Sequence, residues 1–209
     1  YLYITQRILS MQYLPENGIW VDIGSYYGGL QGIIKKYIPN SKIIMVDFHH
    51  QLCRSFIYLS KLYPKAIHIL PNKIPSYNKL DEIPKGSFIY VPTTDYDLIA
   101  DQKVNLATNF FSFGEMKREF FLKYFESDIF RKASNVFLVN RWISSPFFEK
   151  TFDSNLSFID YLIKDRSIKY LDIFPMSHYT SVRRELFGRI HSRNTGSSYF
   201  ELVSSDVKK

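Results

Sequence analysis

The chain has little of several things, and each shortage narrows what it can be. One cysteine, Cys53, in 209 residues rules out an internal disulfide and any cysteine-rich zinc site, and makes a reducing, cytoplasmic setting the default expectation. No uninterrupted apolar run approaches the roughly 18–20 residues of a membrane span, and the first residues lack the apolar core and small-residue cleavage site of a secretory signal. Repeats, low-complexity tracts and an evident linker are missing, so residues 1–209 read as a single domain. Dense basic runs are also missing. Pairs such as Lys35-Lys36, Arg183-Arg184 and Lys208-Lys209 make the net charge of +7 look diffuse.

What is present is aromatic and basic. Phe and Tyr number 18 and 16, and the isoelectric point is near 9.3, a balance that favours anionic partners such as phosphorylated substrates, nucleic acid or a membrane surface. The aromatic residues are scattered, with no basic-aromatic stripe, so nucleic acid is not the expected partner.

Periodicity predicts a helix over residues 1–14, ended by Pro15; with the following turn, segment 1–17 could be the remnant of a longer cap. An apolar strand over 19–23 then runs into Gly24, and a helix over 30–37 follows Gly28-Gly29. A strand over 42–46 ends at Asp47, a helix spans 49–63, and a third strand covers 66–70. Strands are also expected at 87–91, 104–108, 135–139, 170–174 and 199–203, and helical character at 113–125 and 158–164. Alternation of strands and helices implies an α/β, Rossmann-like, doubly wound and mostly parallel sheet of about seven strands, with helices on both faces and the last strand antiparallel.

The informative segment is Val21-Asp22-Ile23-Gly24-Ser25-Tyr26-Tyr27-Gly28-Gly29-Leu30. A strand feeding a glycine turn into a helix lets a cofactor approach the backbone, and an acidic residue about 20 positions on can accept both hydroxyls of a ribose. Asp47 occupies that position. A dinucleotide needs a second glycine where Tyr26 stands, and Asp22 would repel a pyrophosphate. Asp22 suits instead the ammonium end of a methionine moiety, which argues for S-adenosylmethionine over NAD.

Together Asp22-Ile23-Gly24 through Gly28, with Asp47, resemble the first two motifs of class I S-adenosylmethionine-dependent methyltransferases, Tyr26 standing where many members have glycine. Asn109-Phe110-Phe111-Ser112-Phe113-Gly114-Glu115-Met116 and Asn140-Arg141-Trp142 resemble segments of the sugar O-methyltransferase family. The resemblance covers roughly residues 19–142. It implies that Ser25, Tyr26, Tyr27 and Phe48 line the cofactor, and that a sugar or glycoconjugate precursor, such as a nucleotide sugar, is the acceptor.

Within that frame Asn109, at a strand end, is expected beside the transferring methyl, or else caps the strand. Asn72, after the third strand, is placed near adenine or in a plain turn. Glu115 is read as a base or hydroxyl acceptor, the alternative being an acidic residue favourable in a first helical turn. Arg141 could meet a phosphate or carboxylate of the acceptor, the alternative being a surface salt bridge. His178 is the preferred general base, its ordinary pKa suiting proton removal near neutrality, with Tyr179 and Arg183 on the acceptor side. No spacing resembles a preformed metal site, and a homo-oligomer is possible. The competing readings are methylation of another small molecule or RNA, and a non-catalytic nucleotide-binding domain of the same fold.

Overall fold

The computed structural model describes residues 1–144, 155–175, 180–184, 190–194 and 199–207, the segments 180–184 and 190–194 by backbone alone. Helix α1 (Leu2–Ser10) precedes β1 (Ile19–Ile23), α2 (Gly29–Tyr37), β2 (Lys42–Asp47), α3 (His49–Leu62) and the two-residue β3 (His68–Ile69). Then come β4 (Phe88–Pro92), β5 (Leu106–Phe110), α4 (Arg118–Phe125), α5 (Asp128–Arg131), β6 (Asn135–Arg141), β7 (Arg166–Ile173), β8 (Thr180–Arg184), β9 (Ile190–Asn194) and β10 (Tyr199–Asp206).

Eight of the strands form one sheet in the order β3-β4-β2-β1-β5-β6-β10-β7. From β3 to β6 every pairing is parallel, and β10 is antiparallel to both β6 and β7. β8 and β9 form a separate antiparallel hairpin. Strands β1, β2 and β4 are buried on both faces, which is why they read as mainly apolar runs without alternation. Successive β1 residues alternate between two cores. Ile19, Val21 and Ile23 join the one that contains Phe121 of α4 and Phe130 of α5. Trp20 joins the one that contains Ile8, Ile34 and Leu59 of α1, α2 and α3.

Three expectations are corrected. The expected third strand is only a two-residue edge; β4 intervenes between it and β2. The helix over 113–125 is broken: Phe113–Glu115 form one 3₁₀ turn, Met116 and Lys117 are extended, and the helix begins at Arg118. Residues 158–164 hold only a 3₁₀ turn, Phe158–Tyr161.

Helix α1 is fastened to the sheet by charge. Glu201 of β10 is fully buried; it accepts from Arg7 Nε at 2.7 Å and from the Tyr3 hydroxyl at 2.6 Å. The Arg7 guanidinium also lies 3.9 Å from the ring centroid of Tyr170 on β7.

Candidate functional site

The chain runs outward from β1 to β2 and β4, then crosses back to β5 on the other flank of β1. A crevice at the carboxyl ends of the strands on either side of such a reversal is the usual ligand position in an open α/β sheet. The residues gathered there are Gly24, Asp47 and Asn109, at the ends of β1, β2 and β5.

The turn after β1 is tightly specified. Gly24 (φ +77°) and Gly28 (φ +84°) both take the left-handed conformation that glycine adopts without steric cost. A side chain on Gly24 would place Cβ 2.2 Å from Ser112 Oγ. Gly24→Ala is therefore expected to lose about 2–3 kcal/mol through backbone strain and overpacking, visible in chemical denaturation, with partial rescue by Ser112→Gly. Tyr26 also has positive φ, +54°. Its N–H donates to Asp47 Oδ2 at 2.8 Å and its carbonyl accepts from Ser55 Oγ at 2.6 Å, so two bonds hold the conformation a glycine would take freely. The Tyr26 ring is turned to solvent and packs edge-on against Tyr27.

Asp47 accepts from the N–H groups of Tyr26 and, at 2.7 Å, Phe48. Each carboxylate oxygen keeps acceptor capacity, as bidentate contact with two hydroxyls requires. Burial raises its pKa, opposed by those two backbone bonds. Phe48 is exposed and stacks on His50.

Asp22 lies beneath the turn and is buried. Its carboxylate accepts from Thr108 Oγ1 and Gln31 Nε2, and Thr108 in turn accepts from Trp20 Nε1 at 2.7 Å. Burial, helped by the nearby Asp47 charge and opposed by the Thr108 and Gln31 bonds, pushes Asp22 up to about 7. Two buried polar atoms here lack a protein partner, Ser25 Oγ and Gln31 Oε1. The Tyr1 ring packs edge-on against Tyr27, centroids 6.4 Å apart, so the start of α1 lies against the turn. Sequence reasoning gave Tyr1 and Gln31 no role, because nothing in the pattern links them to the turn.

Asn109 is a splint. Its amide donates to the Ile23 carbonyl at 2.7 Å and to Ser112 Oγ, while its oxygen accepts from Phe113 N and Asn140 Nδ2, each at 3.0 Å. The side chain ties β1, β5 and β6 together, as the strand-capping reading expects. Asn72 is exposed in the turn after the edge strand β3, which β4 separates from β2. The segment that follows β2's neighbour is Thr93–Leu98, where Asp95 accepts from Thr94 Oγ1.

Glu115 and Arg141 come together. Burial raises the Glu115 pKa and the Arg141 charge opposes the rise. Arg141 Nε also donates to the Tyr199 hydroxyl at 3.2 Å. His178 and Tyr179 lie outside the described residues, as does the side chain of Arg183, whose backbone pairs with His191 in the hairpin. Among the described residues no three His, Cys, Asp or Glu side chains cluster as metal ligands would.

No protein-family model and no curated protein matches the chain. Solved structures do match in shape. A geranyl diphosphate methyltransferase in complex with S-adenosylmethionine aligns with TM-score 0.58 at 12% identity over 98% of this chain and 85% of its own. An rRNA methylase from Streptococcus thermophilus gives 0.55 at 12% over 99% and 96%, and an S-adenosylmethionine-dependent methyltransferase from Aquifex aeolicus 0.54 at 15% over 97% and 89%. At such identities the likeness speaks for the fold. This chain has the Rossmann-like fold of the class I methyltransferases.

Proposed function

We propose that the chain binds S-adenosylmethionine and transfers its methyl group to a hydroxyl of a sugar or glycoconjugate precursor. The observation that carries the cofactor reading is Asp47, pinned by the Tyr26 and Phe48 amides at the mouth of a glycine turn. The surroundings fit the cofactor's other end. Asp22 and the unpartnered Gln31 Oε1 are two acceptors for an ammonium, and Ser25 Oγ is a free hydroxyl in the turn. Bound S-adenosylmethionine supplies an electrophilic methyl on a cationic sulfur.

The chain's own residues then align the acceptor, exclude water and take one proton. In this reading Glu115, its carboxyl raised by burial, accepts the acceptor's hydroxyl proton, and Arg141 favours an anionic group nearby. The sequence puts His178 in the same role. Support for an acceptor side here comes from topology. The chain leaves β7 at Ile173 and re-enters at Tyr199, opposite Arg141, so the intervening hairpin is rooted at this edge. The sugar acceptor rests on the resemblance of Asn109 to Met116 and Asn140 to Trp142.

Calorimetric titration with S-adenosylhomocysteine, with NAD in parallel, tests the cofactor. Micromolar binding of the first alone is expected, and Asp47→Ala should weaken it about a hundredfold through two lost charge-assisted hydrogen bonds. Binding of NAD alone would overturn the reading. Nucleotide sugars, assayed as acceptors against small phenols and RNA, test the substrate class.

A further inference from the structure

The charge that looks diffuse along the sequence is concentrated in one stretch of it, which includes α2 and α3 on one face of the sheet. Residues 23–80 contain eight lysines and arginines and a single carboxylate, the buried Asp47, so this stretch alone accounts for the net +7 while the rest of the chain balances. Two of the eight serve the fold: Lys35 and Lys42 are buried and donate to backbone carbonyls. The other six, Lys36, Arg54, Lys61, Lys65, Lys73 and Lys79, are exposed, and none makes an ion pair among the described residues.

Apolar side chains stand among these cations. Helix α3 turns Leu52, Ser55 and Leu59 inward. Its outer side carries Arg54, Ile57, Tyr58, Lys61 and Leu62, with Ile57 55% and Leu62 49% exposed. Residues 54, 57, 58, 61 and 62 share one side at helical spacing. The aromatic surface continues from Tyr58 through Tyr27, whose ring centroids are 5.4 Å apart, to the exposed Tyr26. A face of cations, tyrosines and aliphatic side chains without one exposed acid is the composition of a helix that lies in a bilayer interface.

We infer that the outer face of α3, with Tyr26 and Tyr58, docks this protein on an anionic lipid surface. Single-stranded nucleic acid would use the cations and rings but gives exposed Ile57 and Leu62 nothing to fill; an acyl boundary accepts all three kinds of side chain. Among the described residues no helix is long and apolar enough to cross a membrane, so attachment would be peripheral. The inference is independent of the methyl-transfer reading, and places the Asp47 edge, where α3 begins, close to the lipid.

The test is sedimentation of the full chain with phosphatidylcholine vesicles, with and without about one third phosphatidylglycerol. Binding is expected only to the anionic vesicles, falling steeply as salt shortens the screening length. Arg54→Glu with Lys61→Glu should cut partitioning at least about twentyfold, since each basic residue near the surface contributes about fivefold. Ile57→Ser with Leu62→Ser should also lower it, with thermal melting confirming that both variants are folded. Equal binding to neutral vesicles, no binding, or variants that partition like the unaltered chain would overturn the proposal. So would binding of a single-stranded RNA oligonucleotide in place of vesicles.

Discussion

Affinity for S-adenosylhomocysteine is expected to fall by up to tenfold for each pH unit below about 7, the position to which burial pushes Asp22. The bound ammonium favours the Asp22 anion, whereas the free protein below that pH holds the carboxyl neutral. Binding must then release a proton, and calorimetric heats should change with the ionisation enthalpy of the buffer. Stability runs the other way. Between the ordinary aspartate value and about 7 the folded chain retains a proton that the unfolded chain has released. Stability should therefore decline as pH rises from about 4 to 7 and level off above, by roughly 4 kcal/mol at most. Asp22→Asn should remove both slopes. The variant should melt higher than the parent at pH 8 and bind the ligand more weakly there, since an amide can still pair with Thr108 and with the unpartnered Gln31 oxygen. A wild-type affinity that is flat from pH 5 to 7 would show that Asp22 does not meet the ammonium.

The second large effect concerns the fastening of α1. Removing one partner of a buried ion pair leaves the other charge desolvated, at about 3–5 kcal/mol. Arg7→Ala strands the fully buried Glu201, so unfolding should come about 10 °C lower. Arg7→Met combined with Glu201→Leu removes both charges and should recover most of the loss. If the single and double variants melt together, the pair contributes only packing. Because Tyr1 at the head of α1 packs against Tyr27 of the glycine turn, the single variant should also weaken cofactor binding.

These two cases show what the sequence could and could not disclose. Strand β1 was legible to the residue, since burial on both faces leaves a mainly apolar run, broken only by Asp22 and closed by a glycine. Asp22, Gly24 and Asp47 were legible as a constellation because turn chemistry and spacing are local. Strand order was not, because β3 and β4 differ in their neighbours more than in their residues. The Arg7–Glu201 pair spans 194 positions, and no periodicity reports a contact of that range. Asn109 was legible as a strand-end position, but not its bonding, since the partners of its amide arrive from β1, β6 and the turn after β5. The hairpin β8–β9 was hidden by a polar stretch with too little alternation to read as strands.

The tryptophan network beneath the glycine turn makes the protein its own optical instrument. Only two tryptophans are present. Trp20 is one hydroxyl away from Asp22, so its emission should shift as that carboxyl gains or loses its proton or meets a cation. Trp142 packs on Phe158 and Phe200, directly after Arg141. Phenylalanine at either position leaves a single tryptophan to excite at the red edge, one beside Asp22 and one beside Arg141, so the order in which two ligands arrive becomes visible as a sequence of colours.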